Sequence, residues 1–234
     1  MKYLILDIGG VLVYPRLGEW HIPYRAAEIL GPERAKDLKT ARFEQARMKC
    51  MSWLREDRVV MDVETERQLR RGFVLELDRL MGWRMTDDEI DAMTDDFTGN
   101  PNRYGFFGDV REWLDRWSRS HVLGALSDAM PSAIALLEEG GIRQYFRQVV
   151  ISTHVGATKP GERMYQTILE KLGADPADCL FVDDRAVNLE GAVRAGMRAV
   201  QMNRPEFPAD PLWDGPVVRN FAELDRIIGE GTHA

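Results

Sequence analysis

The 234-residue sequence is poor in the residues that build disulfide frameworks and zinc sites, with two cysteines and four histidines. Cys50 and Cys179 lie far apart, and His21, His121, His154 and His233 are scattered without an HExxH or CxxC pattern, so no zinc site is expected. Two cysteines without a pairing pattern fit a reducing, cytoplasmic compartment. Basic excess is missing too. Thirty-one lysines and arginines against 38 acids give a net charge of -7, which offers no electrostatic footprint for nucleic acid and no patch for an anionic membrane surface. No stretch approaches the ~20 apolar residues of a membrane span, and Asp7 interrupts the first apolar run too early for a signal peptide. Repeats and low-complexity tracts are absent as well. What remains is an ordinary globular composition, 44% hydrophobic and 29% charged, long enough for one large domain or a core with a smaller inserted one.

The pattern along the chain favours the second arrangement. "KYLILDIGGVLV" opens with a short β-rich apolar segment, Tyr3 to Leu6, of the kind buried on both faces of a parallel sheet. The next ninety or so residues carry only helical signals: amphipathic stretches at Tyr24–Leu30, Glu33–Met51, Asp62–Met81 and Asp87–Phe97. Glycines and prolines between Thr98 and Asp109 end this block. Strands and helices then alternate. "HVLGALS", "QVVIS", "DCLFVD" and "RAVQM" read as strands, and "PSAIALLEEGG", "GERMYQTILEKLG" and "NLEGAVRAGM" as helices, before a closing helix at Phe221–Ile228. Such alternation predicts an α/β fold with a parallel sheet and helices on both faces. The helical block is an insertion after strand one, giving a core of residues 1–14 and 104–234 and an all-helical unit of residues 15–103.

Four polar groups fall just after expected strands: Asp7, Ser127, Lys159 and the pair Asp183–Asp184. In an open α/β sheet the carboxyl edge is where ligands bind. Each group also has a plain structural reading. Asp7 and Ser127 could cap the element that follows, and a lysine before Pro160 could be a surface residue flanking a helix start. The acidic pair has a useful control in "TDDEI" (Thr86 to Ile90), where Thr86 and Glu89 have capping-box spacing and the acids simply favour a helix N-terminus. Asp183 and Asp184 differ because four apolar residues precede them and imply burial. Adjacent carboxylates there repel unless a cation is present, and a metal is the natural one.

The order aspartate, serine, lysine, acidic pair, with "KPGERMYQTILEKLGADPADCLFVDDRAVNLEGAVRAGMRAV" at matching spacing, resembles the haloacid dehalogenase superfamily of aspartate-nucleophile hydrolases. The inserted helices are similar to the family's helical (C1-type) cap, and the sheet domain to its Rossmann-like core. The resemblance implies a phosphohydrolase of a small phosphorylated metabolite with Mg2+ as cofactor. Asp7 would be the nucleophile and Lys159 its catalytic partner, with Ser127, Lys159 and Gly10 binding phosphate. Asp7, the carbonyl of Gly9, Asp184 and Asp183 would form the metal site, with Asp183 contacting a metal-bound water or holding Lys159. Asn188 and Asp128 would support them. No membrane or nucleic-acid partner is implied. Specificity in this family comes from the cap, where Trp20, His21, Trp53 and Arg55 are candidates. The substrate's identity and the choice between monomer and homodimer stay open.

One position departs from the pattern. Family phosphatases read DxDG, the second aspartate acting as acid and base, and here that position is Gly9; "DIGGV" resembles the family's DxG variants. General acid–base catalysis is worth ~10²–10⁴-fold. Turnover would therefore need a leaving group that requires little protonation, such as an acyl or anomeric phosphate, or a proton from elsewhere, with Tyr14 and His21 as candidates by position. Two other readings stand beside this one. A dehalogenase would carry tyrosine at position 9 and lack the acidic pair; a non-catalytic binder of a phosphometabolite or protein would have no use for a nucleophile beside a metal.

Overall fold

The computed structural model describes residues 2–54, 59–208 and 213–230. The chain divides into two compact units, residues 15–104 and residues 1–14 with 105–234. Along the sequence come β1 (Tyr3–Leu6) and β2 (Val13–Pro15), and then four helices, α1 (Ala26–Arg34), α2 (Ala41–Leu54), α3 (Val63–Met81) and α4 (Asp87–Gly99). There follow β3 (Tyr104–Phe106), α5 (Val110–Trp117), β4 (Val122–Ser127), α6 (Ser132–Glu139), β5 (Phe146–Ile151) and a single turn, α7 (Ser152–Val155). The chain continues through α8 (Glu162–Leu172), β6 (Cys179–Asp183), α9 (Ala186–Arg194), β7 (Arg198–Met202), β8 (Val217–Val218) and α10 (Phe221–Glu230).

Six strands form one sheet in the order β5-β4-β1-β6-β7-β8, and its ladders are parallel. This is the α/β fold expected from the alternation of elements. The first strand is central, with Leu6 level with Ala125 on one side and Val182 on the other. All four of its residues are buried, which is why it reads as a continuous apolar run rather than an alternating one. On one face, Tyr3, Ile5 and Phe181 pack with Tyr165 and Ile168 of α8 and with Leu189 of α9. Tyr165 meets Phe181 edge-on at 5.8 Å. At the end of the sheet domain, Trp117 meets Phe221 at 5.0 Å and donates its indole N–H to Asp225, tying α5 to α10.

The helical unit is organised by its caps. Asp62 accepts the Thr65 N–H at the start of α3, and Gly82 closes that helix in the left-handed conformation. The capping box expected at Thr86 and Glu89 is present in both directions. Phe73 of α3 and Phe97 of α4 make an edge-to-face contact at 5.5 Å in the buried seam between the two helices.

Some elements differ from expectation. The stretch Glu33–Met51 is not one helix: α1 kinks at Gly31 (φ 73°) and runs into a tight 3-10 turn at Ala35–Lys39, Thr40 is extended, and α2 starts afresh. The Thr40 hydroxyl donates to the Asp37 carbonyl and accepts the Phe43 N–H, satisfying backbone groups a continuous helix would otherwise engage. Helix α5 and the short strands β2, β3 and β8 had no expected counterpart. Among the described residues no helix is long and apolar enough to cross a membrane.

Candidate active site

The register of the sheet assembles the site. Leu6 is the last residue of β1 and pairs with Val182, so Asp7 and Asp183 follow at the same edge; the Asp7 N–H donates to the Val182 carbonyl at 2.9 Å. Ser127 ends β4 at that edge. Lys159 arrives from the segment between α7 and α8 and is 4% exposed, so it is not a surface lysine. Its ammonium group donates to Asp183 Oδ2 (2.6 Å) and the Leu126 carbonyl (3.2 Å) and lies 3.0 Å from Asp7 Oδ1. Three donors thereby meet three acceptors. The Ile8 N–H donates to Asp7 Oδ1 at 2.7 Å.

Asp183, 0% exposed, is the most heavily engaged acid. Its Oδ1 accepts from the Arg185 N–H and the Asn188 amide, and its Oδ2 from Lys159 and the same amide. Asn188 is held in turn by the Tyr165 hydroxyl, which donates to its carbonyl at 2.7 Å. Asp128 Oδ1 accepts the Lys159 N–H at 2.9 Å, fixing the lysine's backbone. Of the two roles open to Asp183, this bonding favours holding Lys159. Tyr165 and Gln201, whose amide donates to the Asp184 carbonyl, were not singled out in the sequence; a tyrosine on a helix face and a glutamine in a strand carry no signal of such a role.

Asp184 faces the turn after Asp7. Gly10 has φ 69°, and a Cβ there would fall 2.4 Å from Asp184 Oδ2, so only glycine fits on both counts. The Gly10 N–H donates within its own turn, to the Val13 carbonyl, so the residue's evident contribution is space for Asp184 rather than a donor for phosphate. Tyr14 packs on Phe107 at 5.0 Å and against Gly105. In the other unit, Trp20 stacks on Tyr104 at 5.7 Å and its carbonyl accepts from Arg103, while His21 is half-buried. The Trp53 side chain and Arg55 lie outside the described residues.

The electrostatics call for a cation. Asp7, Asp183 and Asp184 each offer an oxygen, all within 4.8 Å of one another, against one ammonium group. Burial, with the charge of Asp183, pushes the Asp7 carboxyl up to about 7 even though Lys159 and Ser127 pull it down. Burial, Asp183 and Asp7 push Asp184 up to about 8. Burial alone would lower the Lys159 pKa, but Asp183, Asp7 and Asp128 together hold it above its ordinary value. Hard carboxylate oxygens in negative excess suit Mg2+. The donor set fits that ion.

The profile of a family described as haloacid dehalogenase-like hydrolase matches residues 1–196. A phosphatase of Mycobacterium tuberculosis is 40% identical over 125 residues, 52% of this chain and 55% of that protein. The chain thus spans about half the length of the curated relatives it matches. Among solved structures, a phosphatase from Thermococcus onnurineus aligns at TM-score 0.63 and 22% identity, and the L-2-haloacid dehalogenase of Xanthobacter autotrophicus at TM-score 0.69 and 21% identity. Each alignment covers 98% of both chains, and at these identities each shows a shared fold.

Proposed function

The chain belongs to the haloacid dehalogenase-like hydrolase family, and on that premise we propose that it is a magnesium-dependent phosphohydrolase of small phosphorylated metabolites. The observation that carries the reading is the meeting of Asp7, Asp183, Asp184 and Lys159 in one buried cluster with more carboxylates than cations. Asp7, Asp184 and the Gly9 carbonyl would hold the ion, with Asp183 anchoring Lys159. Bound there, Mg2+ supplies the positive charge that lets a carboxylate approach a phosphoryl group. The Asp7 carboxylate attacks phosphorus and the bond to the leaving-group oxygen breaks; water then hydrolyses the aspartyl-phosphate and restores Asp7. Lys159 neutralises charge on the nucleophile and the phosphoryl oxygens, and Ser127 donates a hydrogen bond to the transferring group.

Gly9 bears on the substrate. Without a carboxyl there, the leaving group must depart with little protonation, which favours acyl and anomeric phosphates. Residues 15–103 are taken as the cap, in keeping with the compact unit at 15–104, and the free, buried cysteines support a cytoplasmic setting. The test is Mg2+-dependent phosphate release from a panel of acyl, sugar-1-, aryl and alkyl phosphates, with Asp7→Asn beside wild type. Wild type should hydrolyse the acyl and anomeric members, and Asp7→Asn none. Equal inertness of both proteins across the panel sinks the catalytic reading; equal rates on alkyl phosphates sink the account of Gly9. A dehalogenase reading draws only on shared fold, and the acidic pair and Gly9 oppose it.

A further inference from the structure

Just after β7 the chain buries an arginine, Arg204, at 3% exposure. One guanidinium nitrogen, Nη1, donates to Asp109 Oδ2 at 2.8 Å, and Nη2 donates to the Val11 carbonyl at 3.1 Å. The guanidinium carbon lies 4.5 Å from the ring centroids of both Phe107 and Phe221. Asp109 Oδ2 also accepts the Phe221 N–H at 3.0 Å. The end of β7, the connection before α5 and the start of α10 therefore converge on one guanidinium, whose free hand holds a single backbone carbonyl.

That carbonyl belongs to the turn that follows Asp7. Within the turn, Leu12 and Val13 donate to the Ile8 carbonyl and Gly10 donates to Val13, while the Phe107 N–H donates to Leu12. The turn is thus closed by its own hydrogen bonds and carries Gly10 against Asp184. A buried ion pair is weak evidence for stability, since apolar side chains of similar size fill such a space as well. What an apolar residue cannot supply is a directed bond to the Val11 oxygen.

We infer that Arg204 is a positioning residue for the nucleophile turn, fixing residues 8–13 so that Asp7 and Gly9 keep their place relative to Asp184. Its kinetic consequence rests on the phosphohydrolase reading; its structural consequence does not. A misplacement of the order of 1 Å in reacting groups can cost ~10²-fold in rate.

Hydrogen exchange and steady-state kinetics on the full chain with Arg204→Met and Arg204→Lys test this. Arg204→Met should speed exchange at the Gly10, Leu12 and Val13 amides by about tenfold or more, the scale of losing a charged donor's hydrogen bond, and leave β4 and β5 at wild-type rates. The kcat should fall by roughly 10²-fold with KM unchanged. Arg204→Lys keeps the charge beside Asp109 but reaches only one of the two acceptors, so it should melt near wild type and still lose kcat. It also serves if Arg204→Met does not fold. Wild-type exchange at the three amides, or acceleration spread evenly over the sheet, would overturn the inference. If wild type releases no phosphate from any substrate, the kinetic arm tells against the function alone, and exchange still decides the role of Arg204.

Discussion

Asp7, Asp183 and Asp184 share one lysine, and their neighbours treat them differently. Asp183 is satisfied by Lys159, Asn188 and the Arg185 N–H, whereas Asp7 and Asp184 are raised to about 7 and about 8 from an ordinary 3.8, burial being the first cause for both. A carboxyl whose pKa is raised on folding favours the fold while protonated, and that contribution is lost as pH rises through the folded value. With a chelator present, the melting temperature should fall as pH is raised from the ordinary carboxyl value of 3.8 and level off once pH passes about 7 and about 8, by ~2–4 °C per kcal/mol lost for a chain of this size. Saturating Mg2+ should remove the decline. A flat profile in chelator would mean the two acids are not ionising against each other in the fold. Gly9 gives a second prediction, because it is not among the positive-φ glycines, so its backbone conformation does not require glycine. Gly9→Asp should raise hydrolysis of alkyl phosphates by up to ~10²–10⁴-fold, the range of general acid catalysis. No change in the ratio of alkyl to acyl phosphate turnover would show that proton supply is not the constraint. Lys159, in the segment before α8, stood out in the sequence by its place before Pro160, whereas Asp7, Ser127, Asp183 and Asp184 were legible because each ends or directly follows an apolar strand. Tyr165, Gln201 and Arg204 were not, since their partners are backbone carbonyls or residues far away in sequence.

Elements were legible where a physical signal ran long enough to repeat. The capping box at Thr86 and Glu89 is such a signal, and Thr86→Ala should cost ~1 kcal/mol of stability, read as a lower urea midpoint with unchanged slope. A null effect would mean that α4 is held by packing alone. Helix α5 has Val110, Leu114 and Trp117 buried at helical spacing, yet it follows a glycine- and proline-rich stretch whose breakers dominate the local pattern. Strands β2, β3 and β8 are two or three residues long, too short for any period to declare itself. The break between α1 and α2 turns on Gly31 and on the local hydrogen bonds of Thr40, neither of which alters the count of apolar residues along the face.

For the whole molecule, alternation of strand and helix specified a parallel sheet, because parallel neighbours require crossovers and helices supply them. Strand order was not legible: apolar runs fully buried on both faces carry no mark of which neighbour they prefer. Cys179 lies in the buried strand β6 and Cys50 on the buried side of α2, and burial pushes the Cys50 thiol up to about 11 and the Cys179 thiol up to about 12. An aromatic disulfide reagent should therefore label neither at neutral pH in the native protein and both after denaturation. Fast labelling of the native state would mean that one of the two regions opens readily.

The placement of β1 also bears on how the molecule comes to exist. Its ladder partners begin at Val122 and Cys179, so a growing polypeptide on the ribosome releases the middle of its sheet long before either flank has been made. Until then Tyr3 to Leu6 is a sticky tetrapeptide with nothing to pair with, and the helices made meanwhile give it time to meet other chains. Translation speed and chaperone supply, more than the final contacts, would then govern how much of this protein a cell recovers intact.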